Sequence, residues 1–297
     1  MSTLDQRDAT KTPAAKPRDT PASGAGDALR GRMEQTLAQA EAALAEARRH
    51  GDLAQADRVR QAADPAPAKL KVTVMMPVFN EAATIREIVA RVRAEARHDE
   101  LLIVDDCSTD GTRDALIELE QASDDVRVIL HGYNRGKGAA LRTALRHARG
   151  DVVLVQDADL EYDPSDYARL IDPIQRGEAD VVYGSRFLEN AHQDPSRLHR
   201  LGNRMLTAAS NMTTGLRLTD METCYKALRR DALRGVPLKE NRFGFEPEIT
   251  AKLARRGCRF LEVPIAYNSR GWDEGKKIGL RDAVRALWCI ARYAWLD

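Results

Sequence analysis

No run of roughly 18 apolar residues occurs anywhere in the 297-residue chain, so a membrane-crossing helix is not expected. The N-terminus also lacks the short apolar core of a secretory leader, and export by that route is not expected. Cysteine is scarce. Cys107, Cys224, Cys258 and Cys289 stand far apart with no C-x-x-C pair, which argues against a structural zinc site and against a disulfide framework. A reducing cytoplasm is the expected location. A surplus of charge is missing too: 46 Lys and Arg face 45 Asp and Glu, so no global field selects nucleic acid and any basic site must be local. What is present is 43% hydrophobic residues, enough for a sizeable core in one or two domains.

Residues 1–26 hold Ala, Pro, Thr, Ser and charge with almost no large apolar side chain, and a disordered tail is expected because nothing offsets the entropy of ordering. Residues 27–69 are expected to be a helical extension and linker. Ala, Gln, Glu, Arg and Leu without Pro favour helix over 27–63, and Leu29, Met33, Leu37, Ala40 and Leu44 make a seam of helical spacing. That seam suits a partner helix in a homo-oligomer, or it belongs to a solvated helix or hairpin. Pro65 and Pro67 end the segment.

After Leu70 the pattern alternates. Strands are expected over 71–78, 101–104, 126–130, 151–156 and 180–183, and helices over 81–96, 110–121, 137–148 and 164–176. Strands alternating with helices of this length imply a mostly parallel α/β sheet covered on both faces. Such sheets bind ligands beyond the carboxyl ends of their strands. Residues 77–81, 105–112, 134–138, 157–161 and 184–186 all fall there.

The densest chemistry lies in Gln156-Asp157-Ala158-Asp159-Leu160-Glu161, which follows an apolar strand-like run. In an extended strand Asp157 and Asp159 share one face, and converging acids call for a cation; a hard divalent ion such as Mg²⁺ or Mn²⁺ bridging phosphates fits, while a solvated Asp-rich turn is the rival. Pro77-Val78-Phe79-Asn80-Glu81 offers an aromatic platform for a nucleobase and a carboxylate for ribose hydroxyls, or simply a helix cap. Over 104–112, Asp110 suits a cap and Asp105 a buried structural role, leaving Asp106 to accept from a base imide or amine. Asn134-Arg135-Gly136-Lys137-Gly138 sets two glycines and two cations at a helix start, suited to phosphate, without the spacing of a P-loop.

In this order PVFNE, VDDCSTDGT, NRGKG and QDADLE resemble glycosyltransferase family two, over about residues 71–277. The resemblance implies the GT-A fold for 70–279, ahead of an amphipathic helix expected at 280–297 that it does not cover, and a nucleotide-diphosphate sugar donor such as GDP-mannose or UDP-glucose. Similarity is closest to the dolichyl-phosphate mannose synthase type, which implies a polyprenyl phosphate acceptor. By position it implies that Pro77, Phe79, Glu81, Val104 and Asp106 hold the nucleoside, with Lys137, Asp157 and Ala158 also at the donor. Asp159 and Glu161 then bind the metal; Glu161 stands where many synthases of this branch have Gln. The same resemblance gives Arg186 of Gly184-Ser185-Arg186 to the acceptor phosphate, with Arg200 as second contact against Arg197 and Arg204, and Arg270 and Lys276 closing over the donor diphosphate with Trp272 and Lys277 nearby. In the stretch 220–226, Cys224 replaces the family's usual Gly, whose backbone freedom it lacks.

An inverting in-line displacement is the implied reaction, with Asp157, Asp159, Arg186 and Arg200 as its catalytic set. A phosphate nucleophile needs no strong base, whereas a hydroxyl acceptor would need one, from Glu246 or Glu248. The other readings are a soluble transferase acting on a glycan or small phosphorylated acceptor, a nucleotidyltransferase, and a non-catalytic nucleotide-sugar binding protein. Leu280, Val284, Leu287, Trp288, Ala291 and Trp295 form an apolar stripe flanked by Arg281, Arg285 and Arg292. Such a helix lies at the inner face of a membrane as a peripheral contact, or packs on the enzyme's own sheet or a second subunit.

Overall fold

The computed structural model describes residue 35 and residues 69–188, 197–268 and 280–295. The expected tail and helical extension thus lie outside the described residues, residue 35 and the end of the linker apart. Two compact units are distinguished, Met1–Ala66 and Pro67–Asp297, and the second carries every element below.

Its elements are β1 (Val72–Val78), α1 (Ile85–Glu95), β2 (Glu100–Asp105), α2 (Thr112–Gln121), β3 (Val126–Leu130), α3 (Lys137–His147), β4 (Val152–Val155), α4 (Tyr167–Gln175), β5 (Val181–Ser185), α5 (Arg197–Thr214), β6 (Lys226–Arg229), α6 (Arg230–Leu233), α7 (Phe245–Arg255), β7 (Phe260–Pro264) and α8 (Leu280–Trp295). The seven strands form one sheet in the order β3-β2-β1-β4-β6-β5-β7. All pairings are parallel except those of β6 with β4 and with β5. This is the expected mostly parallel α/β sheet.

The strands are nearly continuous apolar runs because both faces are covered. Val74, Met75, Leu101, Leu102, Ile103 and Leu154 are wholly buried, and α1 contributes Ile85, Ile88, Val89 and Val92 from one helical face. Helix starts lie later than their propensity suggests. Thr84 and Ile85 both donate to the Glu81 carbonyl, which delays α1 to Ile85. Gly111 at φ 94° delays α2 to Thr112. The expected helix over 164–176 divides into a 3₁₀ turn, Pro164–Asp166, and α4.

The reversed β6 matters most for the site. Parallel neighbours present their carboxyl ends at one edge, and an antiparallel strand brings its amino end there instead. The loop ahead of Lys226 therefore joins the ends of β1, β2, β4 and β5.

Candidate active site

β4 stops at Val155, so the acids lie beyond the strand and a turn places them rather than pleat alternation. Leu160 adopts φ 63°, and the Glu161 amide donates to Asp159 Oδ1 at 3.2 Å. Asp157 takes Lys137 Nζ at 2.9 and 3.0 Å. Glu161 Oε2 accepts from the Tyr267 hydroxyl at 2.9 Å, and its carbonyl from the Asn268 amide at 2.8 Å. Beneath the turn, the hydroxyls of Tyr167 and Tyr225 each donate to buried Gln156 Oε1 at 2.7 Å, and Gln156 Nε2 donates to the Asp157 carbonyl. Strain gathers at this edge: of the four described non-glycine residues with positive φ, Asn80, Cys107 and Leu160 follow β1, β2 and β4, and only Ala96 is a helix end.

Among the described residues no group of three His, Cys, Asp or Glu closes around a cation. Asp159 and Glu161 are the carboxylates of this turn that would hold Mg²⁺ or Mn²⁺, an ion such as Mg²⁺ binding through one or two carboxylates and completing its shell with water and substrate phosphate.

Asp105 and Asp106 divide their labour. Asp105 is fully buried and receives Arg113 Nε and Nη2 at 2.9 and 2.7 Å. Asp106, 3% exposed, accepts from His131 Nδ1 at 2.7 Å and from the amides of Arg135 and Gly136 at 2.9 and 2.6 Å. Its carboxylate thus organises the 134–138 loop, a contact the sequence reading did not assign to it. His131, also missed, has no motif spacing to mark it. Gly138 is required because a Cβ would meet the Glu240 carbonyl at 2.5 Å.

Pro77, Phe79 and Glu81 are partly exposed at the end of β1. Asn80 Oδ1 accepts from the Thr109 amide at 2.9 Å, tying this end to the next loop. The side chains of Val104 and Ala158 are buried, at 0% and 3% exposure, so contact with a ligand would pass through their main chains. Asp110 caps α2 from one residue outside Gly111, accepting from the Thr112 amide at 3.1 Å.

Across the edge, Arg186 grips Asp220 through Nε at 2.7 Å and Nη2 at 2.8 Å. The guanidinium also lies 5.1 Å from the centre of the Tyr267 ring. Burial opposes the Arg186 charge, but Asp220 holds its pKa well above the usual value; burial raises and Arg186 more than reverses the shift of Asp220, which ends below the usual carboxylate range. Asn203 Nδ2 donates to Asp220 Oδ1 at 2.8 Å, and Thr207 Oγ1 accepts from the Met221 amide. Arg200 stands one turn before Asn203 on that face of α5 and is half-buried, while Arg204 is exposed. The side chain of Arg197 lies outside the described set, as do Arg270, Trp272, Lys276 and Lys277.

Cys224 has no positive φ and is 4% exposed, so the replaced glycine leaves no strain. Burial first, then Asp157, pushes its thiol up. Glu248 is structural: it accepts from the amides of Lys239 and Glu240 at 2.7 and 2.8 Å and from Lys252 Nζ at 2.7 Å. Glu246 faces the site, with Oε1 3.6 Å from Lys137 Nζ. Burial works against the Lys137 ammonium, yet Asp157, and after it Cys224 and Glu246, keep its pKa well above the usual value. Tyr162 and Tyr267 pack at 5.2 Å between ring centres and bridge their strand ends; tyrosines without motif spacing gave no signal in the sequence.

A mostly parallel sheet with an acid-bearing turn beyond its central strand, flanked by a glycine loop and a strand-end arginine, defines a GT-A architecture. Residues 73–236 match the model for Glycosyl transferase family 2, and the chain belongs to that family. It is 32% identical over 205 residues to Glycosyltransferase AglJ of Haloferax volcanii, covering 69% of this chain and 65% of that protein. It is 31% identical over 221 residues to the undecaprenyl-phosphate mannosyltransferase of Micrococcus luteus, covering 71% of this chain and 88% of the relative. The crystal structure of Mycobacterium tuberculosis glucosyl-3-phosphoglycerate synthase with Mn²⁺, UDP and phosphoglyceric acid superposes with a TM-score of 0.62 at 23% identity, over 78% of this chain and 81% of that one.

Proposed function

We propose that the protein transfers a hexose from a nucleotide-diphosphate sugar, GDP-mannose or UDP-glucose, to a polyprenyl phosphate, with a divalent metal at Asp159 and Glu161. One observation carries the reading: the Tyr267 hydroxyl binds Glu161 while its ring lies 5.1 Å below the Arg186 guanidinium, joining the metal carboxylate to the acceptor cation through one side chain. The names of the Haloferax and Micrococcus relatives, a glycosyltransferase and an undecaprenyl-phosphate sugar transferase, support the same class of reaction.

Mg²⁺ or Mn²⁺, when bound, would neutralise the charge that builds on the departing diphosphate. Lys137, locked to Asp157, adds fixed positive charge at the start of α3. Pro77, Phe79, Glu81 and the main chain at Val104 and Ala158 hold the nucleoside, and Arg270 and Lys276 cover the diphosphate. Arg186 and Arg200 orient the acceptor so that a phosphate oxygen attacks the anomeric carbon in line, forming a C–O bond as the bond to the diphosphate breaks. That oxygen is already anionic, so no base is required.

The described residues contain no helix long and apolar enough to cross a membrane. A peripheral contact is proposed through α8, whose Val284, Leu287 and Trp288 are exposed, and through Leu201 and Met205 of the neighbouring α5. The deciding experiment offers purified protein each donor with undecaprenyl phosphate or with 3-phosphoglycerate, reading nucleotide release and product mass. Lipid-linked hexose is expected; product from the water-soluble acceptor alone would overturn the lipid assignment.

A further inference from the structure

Glu240 is 6% exposed, and all of its polar groups are bonded. Its amide donates to Glu248 Oε2 at 2.8 Å, its carbonyl accepts from Arg142 Nη1 of α3, and its carboxylate accepts from Arg285 Nη2 at 2.8 Å and the Tyr293 hydroxyl at 2.9 Å. The last two belong to α8, 45 and 53 residues downstream. Burial pushes the Glu240 carboxyl up, but the bonds from Arg285 and Tyr293 more than reverse it, so it ends below the usual carboxylate range. α8 approaches the same segment at Gly244, where a Cβ would meet Cys289 Sγ at 2.7 Å and Glu240 Oε2 at 2.8 Å.

The main chain that Glu240 fixes is the one the 134–138 loop closes against. The Asn241 carbonyl accepts from the Ala139 amide at 3.1 Å, satisfying one of the free N–H groups in the first turn of α3. A Cβ at Gly136 would overlap that carbonyl, and one at Gly138 would meet the Glu240 carbonyl at 2.5 Å. Lys137 lies between these two glycines. Main chain thus meets main chain with no side chain between them to swing aside, so a displacement of 240–241 passes directly to Lys137 and the start of α3. An apolar side chain would suffice to pack α8 here, and a buried carboxylate is costly unless it is paired. What the carboxylate adds is direction: its bonds to Arg285 and Tyr293 fix where 240–241 stands.

We propose that Glu240 is a positioning residue for the donor site: anchored on α8, it sets the place of the 134–138 loop and through it the affinity for the nucleoside diphosphate. This rests on the proposed reading of that loop as part of the donor site. α8 then serves the donor as well as packing on the domain.

The test uses the full chain with Glu240→Gln, Glu240→Ala and Tyr293→Phe, and with Ile174→Val, a substitution of a wholly buried residue in α4, as the control for lost stability. Hydrogen exchange of residues 134–142 is measured without ligand, GDP and UDP binding by calorimetry with Mn²⁺, and the KM for polyprenyl phosphate separately. Faster exchange in the loop is expected in all three variants and not in the control. Diphosphate binding is expected to weaken roughly 10- to 100-fold in Glu240→Ala, and by less in Glu240→Gln and Tyr293→Phe, which each keep part of the bonding. The KM for polyprenyl phosphate is expected to stay at the wild-type value. Tyr293→Phe deletes a single hydroxyl and decides the question where Glu240→Ala fails to fold. Loop exchange and diphosphate affinity matching those of Ile174→Val, or equal losses toward donor and acceptor, overturn the proposal. Should the wild type bind neither nucleotide, the donor reading of the loop fails, and the exchange series still judges whether Glu240 holds it.

Discussion

Arg186 and Asp220, 34 residues apart, form a two-pronged ion pair at the active edge, with Nε and Nη2 of the arginine 2.7 and 2.8 Å from the carboxylate oxygens. Asp220 is wholly buried, and Asn203 donates to the same carboxylate. The pair fixes the guanidinium of the proposed acceptor site before any acceptor arrives. Asp220→Asn leaves that cation buried and uncompensated and is expected to lower stability by about 3–5 kcal/mol, read by urea unfolding. The acceptor KM is expected to rise more than the donor KM.

A second consequence concerns pH. Glu222 is faced by Glu246 from α7, Lys226 from β6, Arg186 from the end of β5, and Asp220 from the loop ahead of β6. Its carboxyl is raised from 4.5 to about 8. The folded state therefore holds a proton that the unfolded state has released, so the contribution of this group is fully present below its unfolded value and is lost as pH rises to about 8. Glu222→Gln removes the dependence. The melting temperature of the variant minus that of the wild type is expected to grow from pH 5 to pH 8; a constant difference would remove the titration from Glu222.

Gly138 offers a steric test of the anion loop. A methyl group there meets the Glu240 carbonyl at 2.5 Å and the Arg242 carbonyl at 3.0 Å, both main-chain atoms that cannot swing aside. Gly138→Ala is expected to cost about 1–3 kcal/mol by overpacking. Because Lys137 precedes it, donor affinity is expected to fall as well, measurable by titration calorimetry with GDP or UDP.

Five of the seven strands were legible in the sequence because parallel strands are apolar runs whose ends carry local motifs, while β6 and β7, four and five residues long, were not expected. β1, β2 and β4 appeared within one or two residues, and Asp157, Lys137 and Asp106 do meet at one edge. Legibility stopped where contacts are distant and single. Nothing about Tyr267 or His131 announces that they bind Glu161 and Asp106, 106 and 25 residues away. The reversal of β6 was equally hidden, since four residues of strand carry no direction of their own. It decides that the loop at Asp220 faces Arg186. Asp106 shows the converse limit: its motif position is evident, but the saturation of its carboxylate by His131, Arg135 and Gly136 appears only in three dimensions.

The proposed metal site separates Asp159 from Asp157. Asp157 is held by Lys137, whereas Asp159 and Glu161 sit on the turn strained at Leu160. Asp159→Ala is expected to abolish the tightening of GDP or UDP binding by Mn²⁺ while leaving the weaker metal-free binding in place. Glu161→Gln keeps an acceptor for Tyr267 and is expected to retain part of the tightening. Full metal dependence in Asp159→Ala, measured with chelator controls, would remove this residue as a ligand.

α8 carries two apolar stripes, and the structure gives them different work. Ala286, Cys289, Ile290 and Tyr293 are buried, and the hydroxyl of Tyr293 and Nη2 of Arg285 bind Glu240 at 2.9 and 2.8 Å. Of the stripe named from the sequence, Val284, Leu287 and Trp288 point outward, at 62%, 46% and 44% exposure. Arg285 and Arg292 lie 4.3 and 4.9 Å from the Trp288 ring, an arrangement of cation beside aromatic that suits an anionic headgroup layer. Removing α8 whole would strip a packed face along with the exposed one. Leu287→Asp with Trp288→Asp changes only the outward stripe. Flotation with vesicles containing anionic lipid is expected to fall by roughly tenfold or more in that double variant, since two large apolar side chains and their insertion free energy are removed. Its melting temperature is expected to stay near the wild-type value, as neither side chain is buried. Unchanged flotation with an unchanged melt would exclude α8 as the membrane contact.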